Sequence, residues 1–320
     1  MKDRSTREAF GEALINVGER QPSVVALDGD VATSVMTAEF GKRFPERYFQ
    51  FGIAESGMIG AAAGLAMGGK IPFVASFGCF ITGRFDAIRM SIGYNRSNVR
   101  VVGTHVGVQI GPDGHSQMGL EDISLMRAIP NIAVIQPGSG IETERAVEYL
   151  VDHVGPAYLR LTRGKVREVF DESYRFEFGK GVRLREGNDV GIIASGATVE
   201  QALIAADLLD GEGISAAVVN IHTIQPIDTE LLVDLARTCG RIVTVEDHVP
   251  RGGLGGAVCE ALAEAHPAPV LRIGVNGFGE SGDPDELYER FGLSGARIAQ
   301  TTAGFCSSAA EVALAARGAV

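Results

Sequence analysis

Residues 51–75 read Phe-Gly-Ile-Ala-Glu-Ser-Gly-Met-Ile-Gly-Ala-Ala-Ala-Gly-Leu-Ala-Met-Gly-Gly-Lys-Ile-Pro-Phe-Val-Ala. Small and apolar residues fill a helical span over roughly 56–68, a Gly-Gly pair interrupts it, and 71–75 follows as a short apolar strand. A helix feeding a fully apolar strand is the unit of a parallel sheet covered on both faces. The unit recurs on either side. Upstream, Ser5 is placed to cap a helix whose Ala9, Phe10, Ala13, Leu14 and Val17 share a face, and 24–27 reads as a buried strand. Downstream, strands are expected at 99–103, 132–135 and 157–161, with helices over 81–96, 120–128 and 139–153.

The rhythm stops between residues 163 and 188, which are charged, aperiodic and rich in turn signals. It resumes with strands at 190–194, 215–221, 242–246 and 270–273, alternating with helices over 198–210, 228–237 and 255–265, and ends in a helical region. The expected fold class is α/β with two doubly wound domains, 1–165 and 189–320, joined by a linker over 166–188.

Hydrophobic residues make up 45% of the chain and charged residues 22%, the balance of a globular protein with ample core material. A net charge of -11 without a basic cluster argues against nucleic-acid and membrane-surface binding. The four cysteines are widely spaced with no Cys-x-x-Cys pair, so neither a zinc site nor a disulfide framework is expected, and reduced thiols in a cytoplasm are the expected state. The polar N-terminus carries no signal-peptide pattern, and no run approaches the length of a membrane span.

Glu55 is the one acid in a small, apolar stretch. Dehydration favours its neutral form and suits it to proton traffic near neutral pH; equally, Glu55-Ser56 is placed to cap the helix that follows. Gly57, Gly60 and Gly64 share a helix face, which suits a close neighbour, either a backbone or a flat ligand. Other candidates follow strand ends, where ligands gather in parallel sheets: Phe77 and Phe80, then His105, then Arg163. The loop 106–119 adds Asp113, His115, Ser116 and Gln117. His105, Asp113 and His115 match no metal-ligand spacing. Gly64, Gly69 and Lys70 are spaced like a phosphate loop, but Ile71 follows the lysine and the segment leaves a helix to enter a strand, so that reading is rejected. Glu246-Asp247-His248 resembles acid–base equipment, though no Gly-x-Ser-x-Gly elbow accompanies it.

Taken in order, Thr6-Arg-Glu-Ala-Phe-Gly-Glu-Ala-Leu14, Phe51-Gly-Ile-Ala-Glu55, Gly119-Leu-Glu-Asp-Ile-Ser-Leu-Met-Arg-Ala-Ile-Pro-Asn131, Tyr158-Leu-Arg-Leu-Thr-Arg163, Thr223-Ile-Gln-Pro-Ile-Asp228, Thr244-Val-Glu-Asp-His248 and Phe278-Gly-Glu-Ser-Gly282 resemble the C-terminal half of the transketolase family in its split, two-chain form. Deoxyxylulose-phosphate synthase and the beta subunits of 2-oxo acid dehydrogenases are similar, less closely. The resemblance implies a pyrimidine-binding domain followed by a transketolase C-terminal domain, with thiamine diphosphate as cofactor. Glu55 would share a proton with a ring nitrogen of the aminopyrimidine, Phe77 and Phe80 would flank that ring, and Val31 with Asp30 would lie under the bent cofactor. His105 would act in catalysis and face the substrate. Arg7, Ser34 and Arg163 would hold a substrate phosphate, with Asp113, His115 and Gln117 on the substrate side.

The family's Gly-Asp-Gly…Asn-Asn motif for magnesium and diphosphate is absent from this sequence, where Asp28-Gly-Asp30 stands alone. The resemblance therefore implies a partner subunit that carries the motif and Mg2+, in an α2β2 heterotetramer catalysing two-carbon ketol transfer. In the loop, the family's usual His aligns with Gln117, and His115 lies two residues earlier; after Glu55 the usual polar pair is Ser56-Gly57. The alternatives are a 2-oxo acid decarboxylating beta subunit and a non-catalytic assembly subunit.

Overall fold

A computed structural model describes residues 3–317, with side chains described through residue 307. Its centre is a 7-stranded sheet in the order Thr223–Gln225, Ala133–Ile135, Ala157–Arg160, Arg100–Thr104, Ile71–Phe77, Val24–Asp28 and Tyr48–Gln50. Every pairing is parallel except that of Thr223–Gln225, which lies antiparallel on Ala133–Ile135. A 5-stranded sheet follows, ordered Val270–Ile273, Ile242–Val245, Val190–Ala194, Ala216–Asn220 and Val182–Arg185, with only the last strand antiparallel. The inner strands are buried throughout, as continuous apolar runs require when helices cover both faces.

Local chemistry sets the helix boundaries. Helix Thr6–Arg20 starts on a capping box, in which Ser5 Oγ accepts the Glu8 N–H and the Glu8 carboxylate accepts the Ser5 N–H. Its Ala9, Phe10, Ala13, Leu14 and Val17 are buried, so the stripe seen in the sequence is the packed face.

Several features depart from expectation for local reasons, among them the short strand Tyr48–Gln50 at one edge of the first sheet. The stretch 81–96 is divided into Gly78–Thr82, Phe85–Ala87 and a π-helical Ile88–Tyr94, because Arg84 leaves the helical region between the first two. Two short strands occupy the charged stretch after Arg163. Lys165–Val166 pairs with Arg4–Ser5, and Val182–Arg185 is the edge of the second sheet. Thr223–Gln225 crosses from the second half of the chain to extend the first sheet. Strands of two to four residues are too short for period-2 alternation to register.

A buried polar knot joins the two halves. Arg160 donates to both Asp122 carboxylate oxygens, at 2.8 and 3.1 Å, and to the Asp247 carbonyl at 2.9 Å. Tyr158 Oη donates to Asp122 at 2.6 Å. His248 Nε2 accepts the Ile123 N–H at 3.1 Å, and Glu246 accepts the Leu254 and Gly255 N–H groups at the start of helix Leu254–Ala265. Glu246-Asp247-His248 is thus an architectural hub that caps two helices and ties down a loop. Removing one partner of the enclosed Arg160–Asp122 pair would strand a buried charge at a cost of about 3–5 kcal/mol.

Candidate functional site

The predicted site residues gather at the carboxyl ends of adjacent parallel strands. Asp30, Val31 and Ser34 follow Val24–Asp28, Glu55 follows Tyr48–Gln50, Phe80 follows Ile71–Phe77, His105 follows Arg100–Thr104, and Arg163 follows Ala157–Arg160. Arg7 joins them from the first turn of Thr6–Arg20.

His105 is enclosed, with 3% of its surface exposed, and its φ of 56° places it in the left-handed region, which costs a non-glycine residue about 1–3 kcal/mol. Its Nε2 lies 3.2 Å from Arg7 Nη1 and its Nδ1 2.8 Å from Thr104 Oγ1. A guanidinium only donates, so Nε2 is the acceptor and the proton belongs on Nδ1. Thr104 Oγ1 passes the chain on to the Ser76 carbonyl at 3.4 Å. Burial, then the charges of Arg7 and Arg163, push the His105 pKa down to about 3, which keeps the ring neutral. The ring also stacks on Phe77, centroids 3.8 Å apart, and Phe77 stacks on Phe80 at 5.3 Å.

The surroundings of His105 are cationic. Arg7 donates to the Ser34 carbonyl at 2.8 Å, and its buried Nε has no hydrogen-bond partner. Its pKa is lowered first by burial and then by the nearby charge of Arg163. Arg163 donates to the Ile110 carbonyl at 2.9 Å and reaches Asp113 at 3.5 Å, where both side chains remain substantially exposed. Two mutually repelling guanidiniums stand beside a neutral imidazole, one with an unused buried N–H, a set of donors whose chemistry suits an anion. Ser34 enters through its carbonyl in this arrangement.

Glu55 is the first residue of helix Glu55–Met67 and is buried, with 5% of its surface exposed. Ala54 holds the cap position without a side-chain hydrogen bond, so Glu55 is not the cap, while its place in the first turn suits the helix dipole. Arg84 Nη2 comes to 3.9 Å of its Oε2, an ion-pair distance longer than a hydrogen bond. Beside it, Asp28 forms a buried bracket: Oδ1 accepts from Val31 N–H at 3.0 Å and Gln50 Nε2 at 2.6 Å, while Gln50 Oε1 accepts the Asp30 N–H. Burial raises the Asp28 pKa. Asp30, at φ 67°, is exposed, and Val31 is half-buried.

His115 and Gln117 lie further along the loop that follows His105, in a turn whose Ser116 carbonyl accepts from Cys79 Sγ at 3.7 Å. His115 Nδ1 accepts the Gly279 N–H at 3.0 Å, and its ring meets Phe278 edge-on at 4.6 Å. Gln117 lies in the same short 3-10 turn, half-buried. Gly57, Gly60 and Gly64 present an open face of their helix. Among the described residues there is no group of three or more metal-type ligands, and no helix is long and apolar enough to cross a membrane. Gln50 and Arg84 were missed by sequence reasoning, because a polar residue in a three-residue strand and an arginine in a helix break carry no pattern of their own.

A buried acid, an aromatic stack and a pair of arginines gathered at strand ends, braced by a second α/β unit, define a two-domain chain of the doubly wound class. The match to known proteins is specific. Residues 2–169 match the family "Transketolase, pyrimidine binding domain" and residues 179–298 match "Transketolase, C-terminal domain"; the chain belongs to the transketolase family. It is 44% identical to the putative transketolase C-terminal section of Methanocaldococcus jannaschii, covering 93% of this chain and 95% of that protein. It is 39% identical to a 6-deoxy-6-sulfo-D-fructose transketolase subunit of Clostridium, covering 93% of each. Its fold superposes on a split-gene transketolase, solved as an inactive beta4 tetramer, with a TM-score of 0.86, 44% identity and coverage of 93% and 97%. Against human transketolase, at 38% identity, it spans only 49% of the length. The expected fold class and the resemblance to a split transketolase subunit are therefore borne out, and the family implies dependence on thiamine diphosphate.

Proposed function

We propose that this chain is the pyrimidine-binding subunit of a two-chain transketolase that moves a two-carbon ketol unit from an anionic ketose to an aldehyde. The observation that carries the proposal is the placement of a buried Glu55 and of the Arg7–His105–Arg163 cluster at the carboxyl ends of adjacent parallel strands. A buried carboxylate beyond hydrogen-bond reach of its cation suits a partner that shares a proton, and the stacked Phe77 and Phe80 suit a flat ring. Thiamine diphosphate, when bound, supplies the electron sink for carbon–carbon cleavage.

This chain's own residues then have separate tasks. Glu55 holds the proton shared with a pyrimidine ring nitrogen. Phe77 and Phe80 orient the ring, and Val31 with Asp30 line the crevice floor. His105, neutral and accepting at Nε2, releases Arg7 to an incoming anion and offers Nε2 to a substrate hydroxyl. Arg7, Arg163 and the Ser34 segment hold the anionic tail, with Asp113, His115 and Gln117 on the substrate side of the loop. The tail is a phosphate or a sulfonate, the latter suggested by the sulfosugar relative.

The sequence has neither Gly-Asp-Gly nor Asn-Asn, so a partner subunit supplies the Mg2+ and diphosphate end, in a cytoplasmic α2β2 assembly. The domain division at 1–165, 166–188 and 189–320 belongs to the same proposal, with Val182–Arg185 of the middle stretch joined to the second sheet. Two arginines facing the substrate favour a sugar-anion substrate over a 2-oxo acid with a lipoyl partner. The test is equilibrium dialysis of thiamine diphosphate with Mg2+ against the purified two-chain complex. Binding that is lost in Glu55→Ala supports the reading; a complex that takes up no cofactor overturns it.

A further inference from the structure

The loop 106–119 begins one residue after His105 and is held from the other half of the molecule. Asp247 Oδ1 accepts the Val108 N–H at 2.9 Å, and its Oδ2 accepts from Tyr288 Oη at 3.0 Å. Arg160 grips the Asp247 carbonyl at 2.9 Å, so the residue is fixed at both ends and only 3% of its surface is exposed. Gly107 sits at φ 74°, and a Cβ there would overlap the Asp247 carboxylate, so the backbone passes directly over the acid. Further along, Ser281 Oγ donates to the Pro112 carbonyl at 2.5 Å, Gly279 N–H to His115, and Val249 N–H to the Leu120 carbonyl at 2.9 Å. His105, two residues before Gly107, holds a left-handed conformation that only its surroundings can enforce. On its C-terminal side Val106 N–H donates to the Leu161 carbonyl at 3.5 Å and Gly107 N–H to the Gly119 carbonyl at 2.9 Å, both within the first domain, and Val108 N–H is the next anchor and the one held from the second domain.

We propose that Asp247 of the second domain is the positioning residue for the anion site: by clamping Val108 it holds His105 at the angle that engages Arg7. This rests on reading Arg7, His105 and Arg163 as that site. It gives the second domain a defined share in substrate binding, carried by one carboxylate.

The test uses the full chain, with inorganic phosphate as probe. Calorimetry reads its affinity, and 15N resonances of the His105 ring report the geometry. Asp247→Ala should weaken phosphate about 10-fold and move the His105 ring signals, since small displacements of a positioned group are costly. Asp247→Asn keeps an oxygen for Val108 and should recover affinity to within about 3-fold. Ala205→Gly, buried in helix Thr198–Gly211 of the same domain, should lower Tm while leaving phosphate affinity unchanged. The inference is overturned if Asp247→Ala binds phosphate like wild type, or if Ala205→Gly loses as much. If Asp247→Ala does not fold, Gly107→Ala pushes on the same contact from the loop side; wild-type affinity in that variant is equally contrary. Arg7→Ala separates the two readings. If it binds phosphate like wild type, the anion-site reading falls and this inference with it; a loss in Arg7→Ala with none in Asp247→Ala defeats the inference alone.

Discussion

His105 should make the protein acid-sensitive by a calculable amount. In the folded state its pKa is pushed down to about 3, whereas an unfolded histidine titrates near 6.5. The folded state therefore binds fewer protons than the unfolded state between those values. Stability from this group is complete above about pH 6.5 and is lost as pH falls toward 3. Within that window one proton is at stake, so the slope is about 1.4 kcal/mol per pH unit, and moving from pH 7 to pH 5 costs about 2 kcal/mol. His105→Asn removes the titration while tolerating the left-handed backbone. Urea unfolding of both proteins at pH 7 and pH 5 gives a double difference in which the lost packing cancels. The variant should lose about 2 kcal/mol less than wild type on acidification. His153, held down to about 4 by burial and by Arg100, contributes acid sensitivity to both proteins alike and drops out. Equal pH slopes in the two proteins would show that His105 is not held neutral, and the account of Arg7 donating to its Nε2 would fail.

Three further outcomes follow from the site and its support. Arg7→Ala and Arg163→Ala should each raise KM for a phosphorylated ketose about 10- to 100-fold while leaving an unphosphorylated analogue nearly unchanged, as steady-state kinetics on the complex will show. Glu55→Gln should lower kcat by about 10²- to 10⁴-fold with the complex intact by gel filtration. Glu142 is buried and accepts from Gly138 N–H, Asn220 Nδ2 and Tyr174 Oη, so Glu142→Leu should destabilise the chain by about 3 kcal/mol in urea titrations without altering phosphate affinity.

Much of the architecture is legible because buried parallel strands are written as uninterrupted apolar runs. The strand at 71–75 is extended by two residues to Phe77 and 190–194 is matched end to end, and both are interior strands of their sheets. The strands that escaped reading are edge or bridging pieces such as Tyr48–Gln50 and Thr223–Gln225, whose identity comes from pairing rather than composition. The site follows the same division. His105 and Arg163 were visible as polar residues closing apolar runs. That Arg7 reaches His105 across 98 positions, and that Asp247 clamps Val108 across 139, are products of tertiary folding with no local trace. Asp247 has an acid–base look in the sequence, but burial makes it a support: desolvation raises its pKa, and both carboxylate oxygens are occupied.

The central claim is that this chain supplies half of an active site. The direct measurement is ketol-transfer activity as a fixed amount of this chain, with thiamine diphosphate and Mg2+, is titrated with a subunit bearing Gly-Asp-Gly…Asn-Asn. Neither chain alone should turn over substrate, and activity should rise and saturate at an equimolar ratio. Full turnover by this chain alone, or none at any ratio despite complex formation, would contradict that claim.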